Sequence, residues 1–387
     1  MAHGAGKAVR IVADENIPLV REAFAQLGEV YTYPGRQIGP EQVRQADVLL
    51  VRSVVRVDRH LLSGSRVRLV GSATVGVDHI DARYLRKAGI AFVHTPEAST
   101  QAVAEYVLAA VLKLARLLGR WPERWSVGII GCGRIGERLA RWFSELGLEV
   151  LRCDPPRAER GEAGFVPLQE ALQAQIVTLH VPLYRGRRHA TWHLLNARRM
   201  RLLRPDVWLL NTSRGAVIDN RALRRWVMNH PSAQLVLDVW EGEPCIDTAL
   251  LGRVRLGTPH IAGYSLEARV RATEALYRAV CRYFGRPPSW RADPYLPPAG
   301  KIMISARASF WEGLAELVHA VYDPERDDRA LRYARHLPEA ERGPYFDRLR
   351  RDYPLRREFS AYRASVPSEL ISIARLLGFH EVEEAGR

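Results

Sequence analysis

The chain has 387 residues, 47% of them apolar, and a formal net charge of +14. That is too long for one ordinary domain and apolar enough for full cores, which excludes a disordered chain. No apolar run reaches the ~18–20 residues that cross a bilayer, and the first ten residues lack the apolar stretch of a secretory signal, so the expectation is a cytoplasmic protein that is not held in a membrane.

The basic excess invites a nucleic-acid reading, but all except four of the 57 basic residues are arginines, spread along the whole chain. That is a compositional bias rather than a binding stripe. What remains of it can attract a small anionic substrate. The four cysteines contain no C-x-x-C pair, which argues against zinc or a disulfide framework. No metal site is expected.

In chain order, residues 9–97 alternate short apolar runs (VRIVAD, EVYTYP, DVLLVRS, RLVGSAT, IAFVHTP) with helix-like stretches. This is the pattern of parallel strands joined by crossovers. A long apolar helix follows from Ser99 to Gly119. It is capped by Ser99 or Thr100 and closed by the glycine, and its apolar faces predict burial between two domains. A second series then supplies the strands WSVGIIG, EVLRCD, IVTLHVP, VWLLNTS and QLVLDVW. The helix from Ser265 ends at Gly285, and the proline-rich segment 286–301 reads as a linker to a smaller α/β or α-rich tail.

The stretch GIIGCGRIG spaces Gly131, Gly133 and Gly136 as G-x-G-x-x-G, with a strand before it and a helix from about Ile135 after it. Arg134 and Ile135 complete the turn. Such a loop lets a pyrophosphate approach the backbone and meet a helix N-terminus. Asp154 ends the next strand, where a carboxylate binds a ribose diol and repels a 2′-phosphate. The expected cofactor is therefore NAD, although Arg157 nearby works against that choice.

Three later strand ends release Arg214, Glu243 and His260 into loops. In an open parallel sheet, ligands bind at those ends. Oxidising an alcohol requires a hydride acceptor and a base, and an imidazole with an ordinary pKa of ~6.5 suits the base. A carboxylate on its other nitrogen fixes the tautomer, and an arginine fork grips a substrate carboxylate. His260, Glu243 and Arg214 are assigned those roles. His180 is read as a packing or cofactor-lining residue and Glu241 as a solvated neighbour. Asp238 is read as a ligand of the nicotinamide amide or a plain strand-end cap.

With GIIGCGRIG…D, NTSRG, LDVWEGEP and PHIAG in this order, residues 8–285 resemble the D-isomer-specific 2-hydroxyacid dehydrogenases. The resemblance implies two doubly wound parallel-sheet α/β domains: a flavodoxin-like substrate domain (1–99 and 265–289) and a Rossmann NAD domain (100–264). VADENIP, VRSVVRVD, GSATVGVDHID, PHIAGYSLEAR and the tail VYDPERDD…FDRLRRDYPLRREF are similar to one branch of that family. That branch implies a small C-terminal α/β dimerisation domain at 290–387 and oxidation of 4-phospho-D-erythronate on a route to pyridoxal 5′-phosphate. It also implies substrate contacts from Ser53, Thr74 and Tyr264, and cofactor contacts from Thr178, Thr212, Asp238 and Gly263. Arg52 and Tyr264 are candidates for the substrate phosphate. A phosphoglycerate or glyoxylate dehydrogenase and a non-catalytic NAD-sensing corepressor are the alternative readings.

Overall fold

The computed structural model describes residues 8–186, 188–305 and 309–385. The chain forms two compact units: residues 1–100 with 265–297, and residues 101–264 with 298–387.

The first unit holds five parallel strands, β1 (Val9–Asp14), β2 (Gly28–Tyr33), β3 (Val48–Val51), β4 (Leu69–Ser72) and β5 (Ala91–His94), in the order β2-β1-β3-β4-β5. That is the flavodoxin-like order. Both β3 and β4 are buried at every position, as expected of parallel strands covered on both faces. The helix Leu266–Tyr283 returns to this unit, with the Ser265 hydroxyl accepting from the Ala268 N–H at its start. Val270, Leu276, Tyr277 and Val280 join the β1–β3–β4 core. The segment read as a linker is partly anchored. Trp290 is buried, with its ring 5.9 Å from Tyr277 in an edge-on contact, so the unit extends past 289 to Pro297.

In the second unit, β6 (Ser126–Ile130), β7 (Glu149–Cys153), β8 (Ile176–Leu179), β9 (Trp208–Asn211), β10 (Gln234–Leu237) and β11 (Leu256–Gly257) form one parallel sheet. Its order is β7-β6-β8-β9-β10-β11. The strand position outside β7 in the full dinucleotide fold is reduced here to one bond, from the Val166 N–H to the Arg152 carbonyl (2.8 Å). The two-residue β11 was too short to show in the sequence pattern.

A small parallel sheet, β12 (Gly300–Met303), β13 (Tyr362–Val366) and β14 (Glu381–Glu384), lies in the tail. The tail does not stand apart as its own unit, because the helix Thr100–Leu118 is shared. Its apolar residues from Val103 to Ala115 are buried in one core with Val127, Ile129 and Trp208 of the nucleotide sheet and Leu314, Leu317 and Val318 of the helix Phe310–Val321. The cover of this apolar helix thus comes from within its own unit. Polar contacts fix the register: the His319 Nε2–H donates to the Ala109 carbonyl at 3.0 Å, and the buried Lys113 ammonium reaches Asp323 at 2.6 Å and Glu325 at 3.1 Å. Gly119 ends the helix with φ +61°, the left-handed closure expected of glycine. No helix among the described residues is long and apolar enough to cross a membrane.

Candidate functional site

The glycine loop after β6 is built by close approach. Gly131 has φ +92°, and a Cβ there would sit 2.8 Å from the His180 carbonyl carbon and oxygen at the end of β8. A Cβ on Gly136 would lie 2.2 Å from the Gly131 oxygen, so the helix Arg134–Glu145 can start only if that position stays bare. Beside Gly133, by contrast, a Cβ would meet nothing within 4 Å. The loop is therefore closed on the protein side and open at the exposed helix start, which is the cradle a pyrophosphate needs. Arg134 is exposed and Ile135 half-buried at this start.

Asp154 follows β7, as its assigned role requires. Its carboxylate accepts from the Cys132 N–H at 2.9 Å and the Arg157 N–H at 3.1 Å, tying the glycine loop to the strand end. The Arg157 guanidinium is held by Glu137, Glu162 and the Cys132 carbonyl. An arginine so engaged is poorly placed to receive a 2′-phosphate, which removes the objection to NAD.

The loops after β10 and β11 bring Glu243 and His260 together. Glu243 Oε2 accepts from His260 Nδ1 at 2.7 Å, and Glu243 Oε1 accepts from the Trp240 N–H at 2.6 Å. Burial alone would raise the Glu243 carboxyl. The charge and hydrogen bond of His260, the Trp240 N–H and the Arg350 charge together hold it below its ordinary value. A carboxylate on Nδ1 leaves Nε2 as the ring position that accepts a proton. The His260 backbone is left-handed, φ +58°, a strained state for a non-glycine residue that its surroundings must impose.

Asp238 imposes it. This buried carboxylate accepts from the Ile261 N–H (2.8 Å), the Ala262 N–H (3.0 Å) and the Thr258 hydroxyl (2.7 Å), while its carbonyl accepts from the His260 N–H (2.7 Å). Burial pushes its carboxyl up, and His260 and these donors oppose the rise. Asp238 therefore clamps the loop that carries the imidazole, Gly263 and Tyr264.

Arg214 is half-buried, with its Nη1 donating to the Ser213 carbonyl at 2.8 Å. Asn211 shapes this turn: its amide donates to the Arg214 carbonyl, and its oxygen accepts from the Ser213 N–H and hydroxyl. The next residue, Gly215, touches the neighbouring loop backbone to backbone, since a Cβ would lie 1.9 Å from the Trp240 carbonyl carbon. Through Gly215, Trp240 and Glu243, the arginine turn is locked to the Glu243–His260 pair.

Of two neighbours, Glu241 differs from its sequence reading and His180 agrees with it. Glu241 is not merely solvated: its carboxylate bonds His193 Nε2 at 2.6 Å and accepts from the Asn220 N–H at 3.2 Å. His180 bridges two strand ends, 2.9 Å from the Thr178 hydroxyl and 3.4 Å from that of Thr212. Burial lowers its pKa to about 3, so it stays neutral and no proton-carrying role falls to it. The hydroxyls expected to line the cofactor are thus partly used in fixing this ring.

In the first unit, Ser53 is exposed beyond β3. The Thr74 hydroxyl, beyond β4, bonds Ser72 Oγ at 2.7 Å and the Gly76 carbonyl at 2.9 Å. Arg52 Nε donates to the fully buried Asp14 at 3.1 Å. Asp14 was not singled out from the sequence, although a carboxylate ending β1 beside the point where the strand order reverses is a readable signal. Arg350 was also missed. It lies in the tail helix Glu339–Arg351 and donates from Nη2 to the Tyr264 hydroxyl at 3.0 Å. Nothing local in its arginine-rich surroundings marks it out.

Residues 94–262 match the model of the D-isomer specific 2-hydroxyacid dehydrogenase NAD binding domain, and residues 295–377 match a domain of unknown function, DUF3410. The erythronate-4-phosphate dehydrogenase of Pseudomonas entomophila is 45% identical over 97% of this chain and 99% of its own. That of Azotobacter vinelandii is 45% identical over 97% and 100%. Among solved structures, the D-lactate dehydrogenase of Aquifex aeolicus complexed with NAD and lactic acid superposes with a TM-score of 0.62 at 27% identity, covering 71% of this chain and 96% of that one. The NAD-bound 3-phosphoglycerate dehydrogenase of Entamoeba histolytica gives 0.63 at 23% identity, covering 72% and 96%, and speaks for the fold alone. Identity of this depth along almost the entire length of its relatives means that the chain belongs to the erythronate-4-phosphate dehydrogenases, a branch of the D-isomer-specific 2-hydroxyacid dehydrogenases.

Proposed function

We propose that this protein oxidises 4-phospho-D-erythronate to (R)-3-hydroxy-2-oxo-4-phosphooxybutanoate with NAD, in the synthesis of pyridoxal 5′-phosphate. The observation that carries the proposal is the Glu243–His260 pair, bonded at 2.7 Å at the C-terminal strand ends of the sheet that bears the glycine loop. When bound on that loop, NAD supplies the acceptor for the hydride leaving C2. His260 Nε2 takes the C2 hydroxyl proton, and Glu243 stabilises the resulting imidazolium without itself becoming protonated. Arg214 binds the C1 carboxylate through its fork of donors and fixes which face of C2 is presented. Asp238 keeps the imidazole in place through its loop. Ser53, Thr74 and Tyr264 serve as further substrate contacts, and Gly263 and Thr212 as cofactor contacts. The protein is read as a cytoplasmic homodimer joined through residues 290–387.

The test is a panel of D-2-hydroxy acids with NAD, following the reduced cofactor. The account predicts the highest kcat/KM for 4-phospho-D-erythronate. A strong preference for 3-phosphoglycerate overturns it.

A further inference from the structure

We propose that Arg350, from the tail, together with the Tyr264 hydroxyl, forms the subsite for the terminal phosphate of the substrate. This deepens the reading above and rests on it. Arg350 is half-buried beside the loop that carries His260. Its guanidinium carbon lies 5.6 Å from the centre of the Tyr264 ring, and its Nη2 donates to the Tyr264 hydroxyl at 3.0 Å. Among the described residues no carboxylate reaches it within ion-pair distance, and its buried Nε has no hydrogen-bond partner. Glu243 and Asp347 act on this guanidinium only through space, without a direct ion pair, so it keeps buried donors unsatisfied, a cost that is offset when an anion binds.

The chemistry of the pair suits a phosphate. The guanidinium keeps several donors beyond the one given to tyrosine, in the planar fork that matches two phosphate oxygens. Because the tyrosine oxygen accepts from Arg350, its own hydrogen remains available to a third. The other cation considered for this role, Arg52, is engaged with buried Asp14. The helix that carries Arg350 is seated on the same site, since a Cβ on its Gly343 would lie 3.0 Å from the Cys245 sulfur and 3.6 Å from Pro244, next to Glu243.

The experiment compares 4-phospho-D-erythronate with D-erythronate in wild type, Arg350→Lys, Arg350→Met and Tyr264→Phe. Calorimetric titration of inorganic phosphate into the NAD-loaded proteins accompanies it. In Arg350→Met, the ratio of kcat/KM values between the two acids falls by about ten- to hundredfold, carried by KM of the phosphorylated acid. Arg350→Lys recovers part of the ratio, and Tyr264→Phe loses less of it. Phosphate affinity falls in the same order. A purely supporting role for Arg350 would lower kcat for both acids and leave their ratio and the phosphate affinity intact; that result overturns the proposal. If Arg350→Met fails to fold, Arg350→Lys and Tyr264→Phe decide by the same two readouts. If wild type oxidises neither acid, it is the functional reading that fails, and the phosphate titration still judges the subsite.

Discussion

Glu243 holds its carboxylate ionised by facing a histidine, a backbone N–H and the Arg350 charge. The sign of the pH effect follows. A carboxyl whose folded pKa is depressed contributes stability that is fully present above its unfolded pKa of ~4.3. That contribution is lost as pH falls through the lower folded value. Melting temperature plotted against pH should therefore fall less steeply below pH ~4.3 in Glu243→Gln than in wild type. The same variant should lose about 10²-fold or more in kcat, because the imidazolium loses its counter-charge. Arg214→Lys keeps the charge but loses the fork, and should cost about ten- to hundredfold in kcat/KM; steady-state kinetics that match wild type would remove its carboxylate role. The placement of Arg214, Glu243 and His260 was readable because each leaves a strand end of a recognisable α/β series. That Asp238 is a clamp was not, because its partners are backbone N–H groups twenty-odd positions away, which leave no trace in residue identity.

At the scale of elements, the site depends on backbone contacts between loops. Gly215→Ala would drive a methyl into the Trp240 carbonyl and push the Arg214 turn off its neighbour. Overpacking of this kind costs about 1–3 kcal/mol, so both melting temperature and kcat/KM should drop. If the variant kept wild-type values of both, the coupling between the two loops would be lost from the account. A second element carries its own pH signature. Glu105 on the helix Thr100–Leu118 is fully buried, and its carboxyl is pushed up to about 8 by burial and by Glu358, against Arg356 and the bonds from the Phe359 N–H and Gln101. A folded state that keeps this proton while the unfolded chain releases it loses stability as pH rises from ~4.3 towards ~8. Glu105→Gln should flatten that slope in melting temperature; an identical slope contradicts the assignment. The strands and the long helix were legible from apolar runs and periodicity. The helix's cover was not, since an apolar face does not name its partner, and Trp290 looked like part of a linker because prolines surround it.

For the whole molecule, the tail is a structural part of the nucleotide-binding unit. It covers the Thr100–Leu118 helix with Leu314, Leu317 and Val318, and the Arg356 guanidinium donates to the Ala102 and Ala262 carbonyls. Removing residues 298–387 would bare that apolar face, and the truncated chain should aggregate or melt at a markedly lower temperature; a well-folded monomer with wild-type NAD affinity would contradict the shared core. The assembly is tested separately by light scattering on the intact protein, where a dimer is expected. The two-sheet α/β architecture was visible in the alternation of strands and helices. The integration of the tail was not, because it rests on contacts between segments about two hundred residues apart.

The central claim is that His260, held by Glu243 and Asp238, removes the hydroxyl proton of 4-phospho-D-erythronate as hydride leaves for NAD. The most direct measurement is the rate of NADH formation from that acid by wild type and His260→Ala, with NAD affinity determined in parallel. The account predicts ready turnover by wild type and a loss of about 10²–10⁴-fold in kcat for the variant, with NAD still bound as tightly. A variant that turns over near the wild-type rate, or a wild type inert towards this acid, would contradict it.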